Sequence, residues 1–188
     1  MMRTRFPAAL LAAALLTGGG VAVAEEESFT QWWMSPWRHK EVQPVDNKIY
    51  QEECGGCHLA YQPGLLPARS WEKLLTETAL ADHFGDDASL DAETLKEIRD
   101  YALANAADKS YHKRSRKIAL ATESGDTPLR ITDVRYIKRK HHQLPEKMVK
   151  GNKDVKSLSH CNKCHTKAEE GNYDNDTVSI PNYPDWKD

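Results

Sequence analysis

Cysteine occurs four times in the 188-residue chain, and all four lie in two copies of one five-residue motif, Cys54-Gly55-Gly56-Cys57-His58 and Cys161-Asn162-Lys163-Cys164-His165. Two thiols separated by two residues and followed directly by an imidazole form the pattern of c-type haem attachment. The two thiols add across the two vinyl groups of one haem, and the adjacent histidine swings beneath the ring to bind iron. Other uses of cysteine pairs fit poorly. Disulfides within each motif would close tiny loops and would not require a following histidine. A zinc site would place the pairs ~15–20 residues apart, whereas Cys57 and Cys161 are separated by more than a hundred. A thioredoxin-like motif belongs at a helix N-terminus in a βαβ setting, and neither copy has one. The sequence therefore predicts two haem c groups, held by Cys54 and Cys57 and by Cys161 and Cys164, with His58 and His165 as the first iron ligands.

Covalent haem calls for an exported compartment, and the N-terminus reads as an export signal. Arg3 and Arg5 precede an apolar run from Phe6 to Leu16, and Ala22-Val23-Ala24 is a small-x-small cleavage site followed by Glu25-Glu26-Glu27. The run is short for a span of ~20 residues and is interrupted by three glycines. Residues 1–24 are expected to be removed, leaving 164 residues that are soluble and exported, to the periplasm in a Gram-negative source. Hydrophobic residues make up only 39% of the chain and the mean hydropathy is −0.71. That is a thin core for this length, but two large apolar macrocycles would fill part of the interior. Residues 25–107 carry 16 acidic and 7 basic side chains, and residues 108–188 carry 12 acidic and 17 basic ones. This asymmetry predicts a molecular dipole able to orient charged partners. Nucleic acid is excluded as a partner by the acidic net charge and the lack of a binding fold.

The pattern along the chain predicts a mainly α protein with extensive loops. Residues 25–45 form an irregular aromatic arm with Trp32, Trp33 and Trp37. Asp46 to Cys54 reads as a short helix entering the first motif, with Ile49 and Tyr50 facing inward. A loop punctuated by Pro63-Gly64 and Pro67 follows. Ser70 is positioned to cap a helix, on which Trp71, Leu74, Leu75 and Ala79 recur at helical spacing, up to the stop His83-Phe84-Gly85. Asp91 caps a further helix with an apolar face of Leu95, Ile98, Tyr101, Ala102 and Ala106. This order is the plan of a class I cytochrome c domain, assigned to residues 25–108. Residues 109–188 are assigned to a second, small, irregular α haem domain. It starts with a basic connection, Lys109 to Lys117, and a flexible turn, Thr122 to Pro128. A helix is expected over Asp133 to Gln143, with Val134, Ile137, His141 and Leu144 on one side.

The sixth ligands decide what each iron can do. No methionine lies between Leu59 and Lys147, where a class I domain would supply one, and the chain after residue 24 holds only Met34 and Met148. His83 is the one histidine between His58 and the helix after Asp91, so it is the candidate for the first iron. For the second iron the candidates are His39, His112, His141, His142, His160 and Met148. His160 is adjacent to Cys161 and poorly placed to reach the opposite face. His141 lies on the apolar side of its helix and is preferred by pattern, with His142 as the fallback.

These residues resemble the dihaem cytochrome c (DHC) family. The resemblance rests on Glu53 to His58, Ala60-Tyr61-Gln62-Pro63-Gly64-Leu65-Leu66-Pro67, Ser70-Trp71, His83-Phe84-Gly85, Arg130-Ile131-Thr132, Arg139-Lys140-His141 with Leu144-Pro145, and Cys161 to His165 followed by Ala168 and Gly171. It implies a class I N-terminal domain, a C-terminal domain of unusual fold, histidine on both faces of both irons, and low potentials. Residue by residue it carries the ligands to His58 with His83 and to His165 with His141. His142 directly after His141 is a local departure that leaves a ligand swap open. The family also implies a carrier rather than an enzyme, working between a membrane b-type cytochrome and a small oxygen-binding monohaem cytochrome. The alternative function is a haem enzyme or gas sensor with one open coordination site. A separate reading gives the basic band from Lys109 to Lys167, 16 basic against 5 acidic residues, a docking role toward an acidic partner.

Overall fold

A computed structural model describes residues 41–186. The export signal, residues 25–40 of the aromatic arm with its three tryptophans, Met34 and His39 lie outside the described residues. Six α-helices follow in order: α1 (Lys48–Gly55), α2 (Ala68–Leu74), α3 (Glu77–Ala81), α4 (Ala92–Ala104), α5 (Lys113–Ala121) and α6 (Arg135–Lys140). Short 3-10 turns and long loops connect them, and the described residues contain isolated β-bridges but no strand.

α1 starts where Asn47 accepts a hydrogen bond from the Tyr50 amide, satisfying an otherwise orphaned donor. α4 starts at Asp91, whose carboxylate accepts from the Glu93 and Thr94 amides, and it buries Leu95, Ile98 and Ala102. α4 packs on α1 and α2. Tyr50 sits at that junction with its hydroxyl donating to the Tyr61 carbonyl at 2.8 Å. Trp71 donates its indole N–H to the Pro63 carbonyl at 2.8 Å, tying α2 to the turn Pro63–Leu65.

Four expectations are revised. The helix expected to begin at Ser70 begins at Ala68 after Pro67, so Ser70 is a buried helix residue rather than a cap. The run also splits at Leu75: Thr76 caps a new helix by accepting from the Ala79 amide, and Leu80 rather than Ala79 is its buried residue. Pro67 dictates the first change, because its ring presets the extended entry φ. The basic stretch expected to be a connector contains α5, whose buried face is Ser115 and Ile118. Its basic side chains masked a helical pattern that only two small or apolar positions carry. The helix expected over Asp133 to Gln143 is shorter: α6 spans Arg135–Lys140, and His141 is its C-cap.

One apolar core runs from Val42 and Tyr50 through the α2–α4 interface to Ile118, Val134, Tyr136, Ala168 and Tyr173. Two contacts knit its ends. The Val42 amide donates to the Gly171 carbonyl at 3.1 Å. Gly171 adopts φ +72°, and a Cβ there would collide with the Val42 carbonyl oxygen, so both the conformation and the close approach require glycine.

Candidate functional site

The first cysteine motif begins in the last turn of α1. Cys54 is half-buried there, Cys57 lies exposed beyond Gly56, and His58 follows. The His58 Nδ1 donates to the Leu59 carbonyl at 2.7 Å, which sets the tautomer and leaves Nε2 for a ligand. Tyr61 stacks on the same ring, with centroids 4.8 Å apart at 28°. Opposite His58, a tight turn presents His83. Its amide donates to the Asp86 carbonyl at 2.7 Å, and the turn is made by Phe84 and Gly85 at φ 61° and 106°. The His58 and His83 rings face one another at 6.5 Å and 27°. Burial pushes the His83 imidazole below its ordinary pKa, and the neighbouring His58 and Arg130 push the same way. Phe84 packs edge-on against His83, and Arg130 sits 3.9 Å above the Phe84 ring.

The second motif occupies the turn Cys161–Lys163, and the His165 amide donates to the Cys161 carbonyl at 2.8 Å. His141 approaches from the end of α6. Its Nδ1 donates to the Ile137 carbonyl at 2.8 Å, again leaving Nε2 for a ligand. The His141 and His165 rings stand 6.0 Å apart at 78°. Burial, reinforced by His141 and Arg114, lowers the His165 pKa to about 4, so this imidazole is neutral at physiological pH. The pair lies in a cavity of about 470 Å³ walled by residues such as Leu65, Ile131, Tyr136, Leu144, Val155 and Ile180. Arg114 also lines it, paired with Asp174 at 3.2 Å and only 15% exposed.

These surroundings can be tested against the group the motifs imply. An imidazole nitrogen sits about 2 Å from the metal it binds, and roughly 1 Å from its own ring centre, so two rings sharing one metal stand roughly 6 Å apart. Both pairs meet that spacing, and each includes the histidine that directly follows a cysteine pair in the chain. None of the four cysteines is paired in a disulfide, and burial pushes the Cys54 and Cys161 thiols up to about 11. His83 Nδ1 and His165 Nδ1 are buried without a hydrogen-bond partner. Among the described residues, no cluster of three or more His, Cys, Asp or Glu side chains forms an ordinary metal cage, so the zinc reading has no site. The residues present fit a haem between each pair of rings.

The remaining candidates for the second iron are less well placed. His142 is exposed, with Nδ1 donating to the Arg139 carbonyl. His160 lines the cavity with its Nδ1 donating to the Val155 carbonyl at 2.6 Å, as in His141, but its ring makes no contact with His165, whereas the His141 ring does. Met148 also lines the cavity, and His112 lies beside Ser110 at the start of α5. Sequence reasoning missed Tyr61, Gln62, Tyr173 and Arg114 as parts of the site. The tyrosines carried no positional signal, and Arg114 was indistinguishable from its solvated basic neighbours.

No curated protein sequence matches the chain significantly. Solved structures do. The chain is 36% identical to a dihaem cytochrome type c from Shewanella baltica, with a TM-score of 0.62 over 76% of this chain and 99% of that one. It is 40% identical to a dihaem cytochrome c from Rhodobacter sphaeroides, with a TM-score of 0.61 over 70% of this chain and all of that one. A structure of DHC purified from the same organism gives 40% identity, 69% and 99% coverage and a TM-score of 0.55. The family model for dihaem cytochrome c matches residues 50–173, a stretch that holds both cysteine motifs and both facing histidine pairs, so the chain belongs to the dihaem cytochrome c family and is a c-type cytochrome with two haem c groups.

Proposed function

We propose that this protein is an exported, periplasmic one-electron carrier whose two irons are both closed by histidine pairs, His58 with His83 and His165 with His141. The reading is carried by the two facing ring pairs at 6.5 and 6.0 Å. Each haem, when bound, supplies an iron that cycles between ferric and ferrous states. The chain does the rest. Cys54 and Cys57, and Cys161 and Cys164, tether the groups covalently. The Leu59 and Ile137 carbonyls hold His58 and His141 in the tautomer that offers Nε2. Burial lowers the pKa of both His83 and His165 and so favours the neutral form, the one that ligates iron. His58 with His83 and His165 with His141 would hold the two haems, so that no bond need break on electron uptake. Nitrogen donors in place of a methionine thioether favour low potentials, because Met/His ligation raises them.

The first haem unit is assigned to residues 25–108 on a class I cytochrome c plan and the second to residues 109–188, after removal of residues 1–24. No helix among the described residues is long and apolar enough to cross a membrane. The redox partners we assign, by family resemblance, are a membrane b-type cytochrome and a small monohaem cytochrome.

The test is the electron paramagnetic resonance (EPR) and visible spectrum of the oxidised protein, then of the reduced protein under carbon monoxide. Two low-spin signals are expected, without a methionine charge-transfer band and without a carbon monoxide shift. The nearly parallel rings at the first site and nearly perpendicular rings at the second should make the two signals differ in anisotropy. A high-spin iron that binds carbon monoxide would replace this reading with a haem enzyme or gas sensor.

A further inference from the structure

The histidine that follows each cysteine motif carries a tyrosine ring against it, and the two tyrosines are linked to one another. Tyr61 stacks on His58 at 4.8 Å. Tyr173 packs edge-on against His165 at 5.2 Å. Between them lies Gln62, covalently next to Tyr61 and fully buried. Its Oε1 accepts from the Tyr173 hydroxyl at 2.6 Å, and its Nε2 donates to the Ala168 carbonyl at 2.7 Å. Tyr61 adds a second tie, its hydroxyl donating to the carbonyl of Ser159, two residues before Cys161. A buried glutamine is unusual in a core, and this one has both ends of its amide satisfied by the far half of the chain. The ties span 98 to 111 residues of sequence. Core stability alone does not call for this arrangement, since an apolar side chain would fill the same space without a desolvation cost.

We infer that Tyr61, Gln62 and Tyr173 form the bridge through which electrons pass between the two haem sites. Electronic coupling falls less steeply through covalent bonds and hydrogen bonds than across van der Waals gaps. The path crosses two ring contacts, His58–Tyr61 at 4.8 Å and Tyr173–His165 at 5.2 Å, and between them runs through covalent bonds and the Gln62–Tyr173 hydrogen bond. One electron leaves the ferrous site and one ferric site is reduced. No proton moves and no bridge residue changes its oxidation state. The inference rests on the proposed function only in taking His58 and His165 as iron ligands.

The test uses the intact dihaem protein, half-reduced, with intramolecular electron exchange read from nuclear magnetic resonance exchange between the haem methyl signals of the two sites. Tyr61→Leu removes the ring from His58. Tyr173→Phe keeps the ring on His165 and the core volume, but breaks the hydrogen bond to Gln62. Both variants are expected to slow the exchange several-fold relative to the parent while both sites remain low-spin by EPR. Tyr61→Phe, which retains the stack, should slow it less than Tyr61→Leu. Exchange at the parental rate in both Tyr61→Leu and Tyr173→Phe would overturn the bridge and leave these residues a structural role alone. Failure of the proposed function would show separately, as a high-spin signal in the parent protein before any substitution.

Discussion

At the scale of single residues, the proposed function makes His83 the position on which the redox character of the first site turns. It sits at the tip of a turn that depends on two left-handed residues, Phe84 and Gly85, and its ring is aimed at His58 rather than at solvent. Replacing His83 with methionine offers a thioether where an imidazole stood. The midpoint potential of one haem should rise, because a thioether stabilises the ferrous state, and the other should stay nearly unmoved. A redox titration checks this, and an unchanged titration would remove His83 from the coordination sphere. The neighbouring Arg130 illustrates what sequence could not give. It lies 47 positions further along the chain, yet it covers Phe84 at 3.9 Å and thus contributes positive charge beside the first site from the second half of the protein.

At the scale of elements, the two halves of each site are held by packing between short helices and turns that would be marginal alone. The turn Pro63–Leu65 meets α5 at Gly64. A Cβ at this glycine would run into the Ser115 hydroxyl and lie 2.9 Å from Val42 Cγ1. Gly64→Ala should therefore destabilise the protein by about 1–3 kcal/mol, the usual range for overpacking a core, as measured by denaturant unfolding. Adding Ser115→Ala should recover part of that loss, since the two substitutions act on one contact and are not additive. Full additivity would show that the clash lies with Val42 instead. Helix α6 shows how an element ends in a useful place. Its final turn carries Lys138, Arg139 and Lys140, which complement the negative end of the helix dipole, and the next residue is His141, fastened to the Ile137 carbonyl.

At the scale of the whole molecule, the acidic first half and basic second half make the surface electrically lopsided. Some basic side chains are matched locally, as in Arg135–Glu123, Lys138–Asp133 and Lys150–Glu146, but the excess in residues 108–188 remains. Electron exchange with an anionic partner should accordingly slow as salt is added, because charges on the surface are screened beyond ~10 Å at about 0.1 M. Stopped-flow rates with an acidic redox protein at increasing sodium chloride provide the measurement, and a flat dependence would mean that the asymmetry does not steer encounters.

Much of the molecule was legible without coordinates, for reasons that are local. The cysteine motifs carry their chemistry in five consecutive residues, so two haem c groups followed from sequence. Asp91 and the apolar spacing of α4 gave a helix whose cap and buried face agree with the fold, because capping and periodicity act within a few residues. The shorter helices were placed less well. The α2–α3 break at Leu75 follows from the Thr76 cap, a local signal that the continuous apolar spacing hid, and α6 closes at His141, whose amide donates to the Ile137 and Lys138 carbonyls. The sequence already proposes His58 with His83 and His165 with His141; tertiary structure alone decided the distances and angles at which those rings meet, the cavity around the second pair, and the Tyr61–Gln62–Tyr173 link. Each of these rests on contacts across a long loop, and a chain reports such contacts only once its core has closed around them.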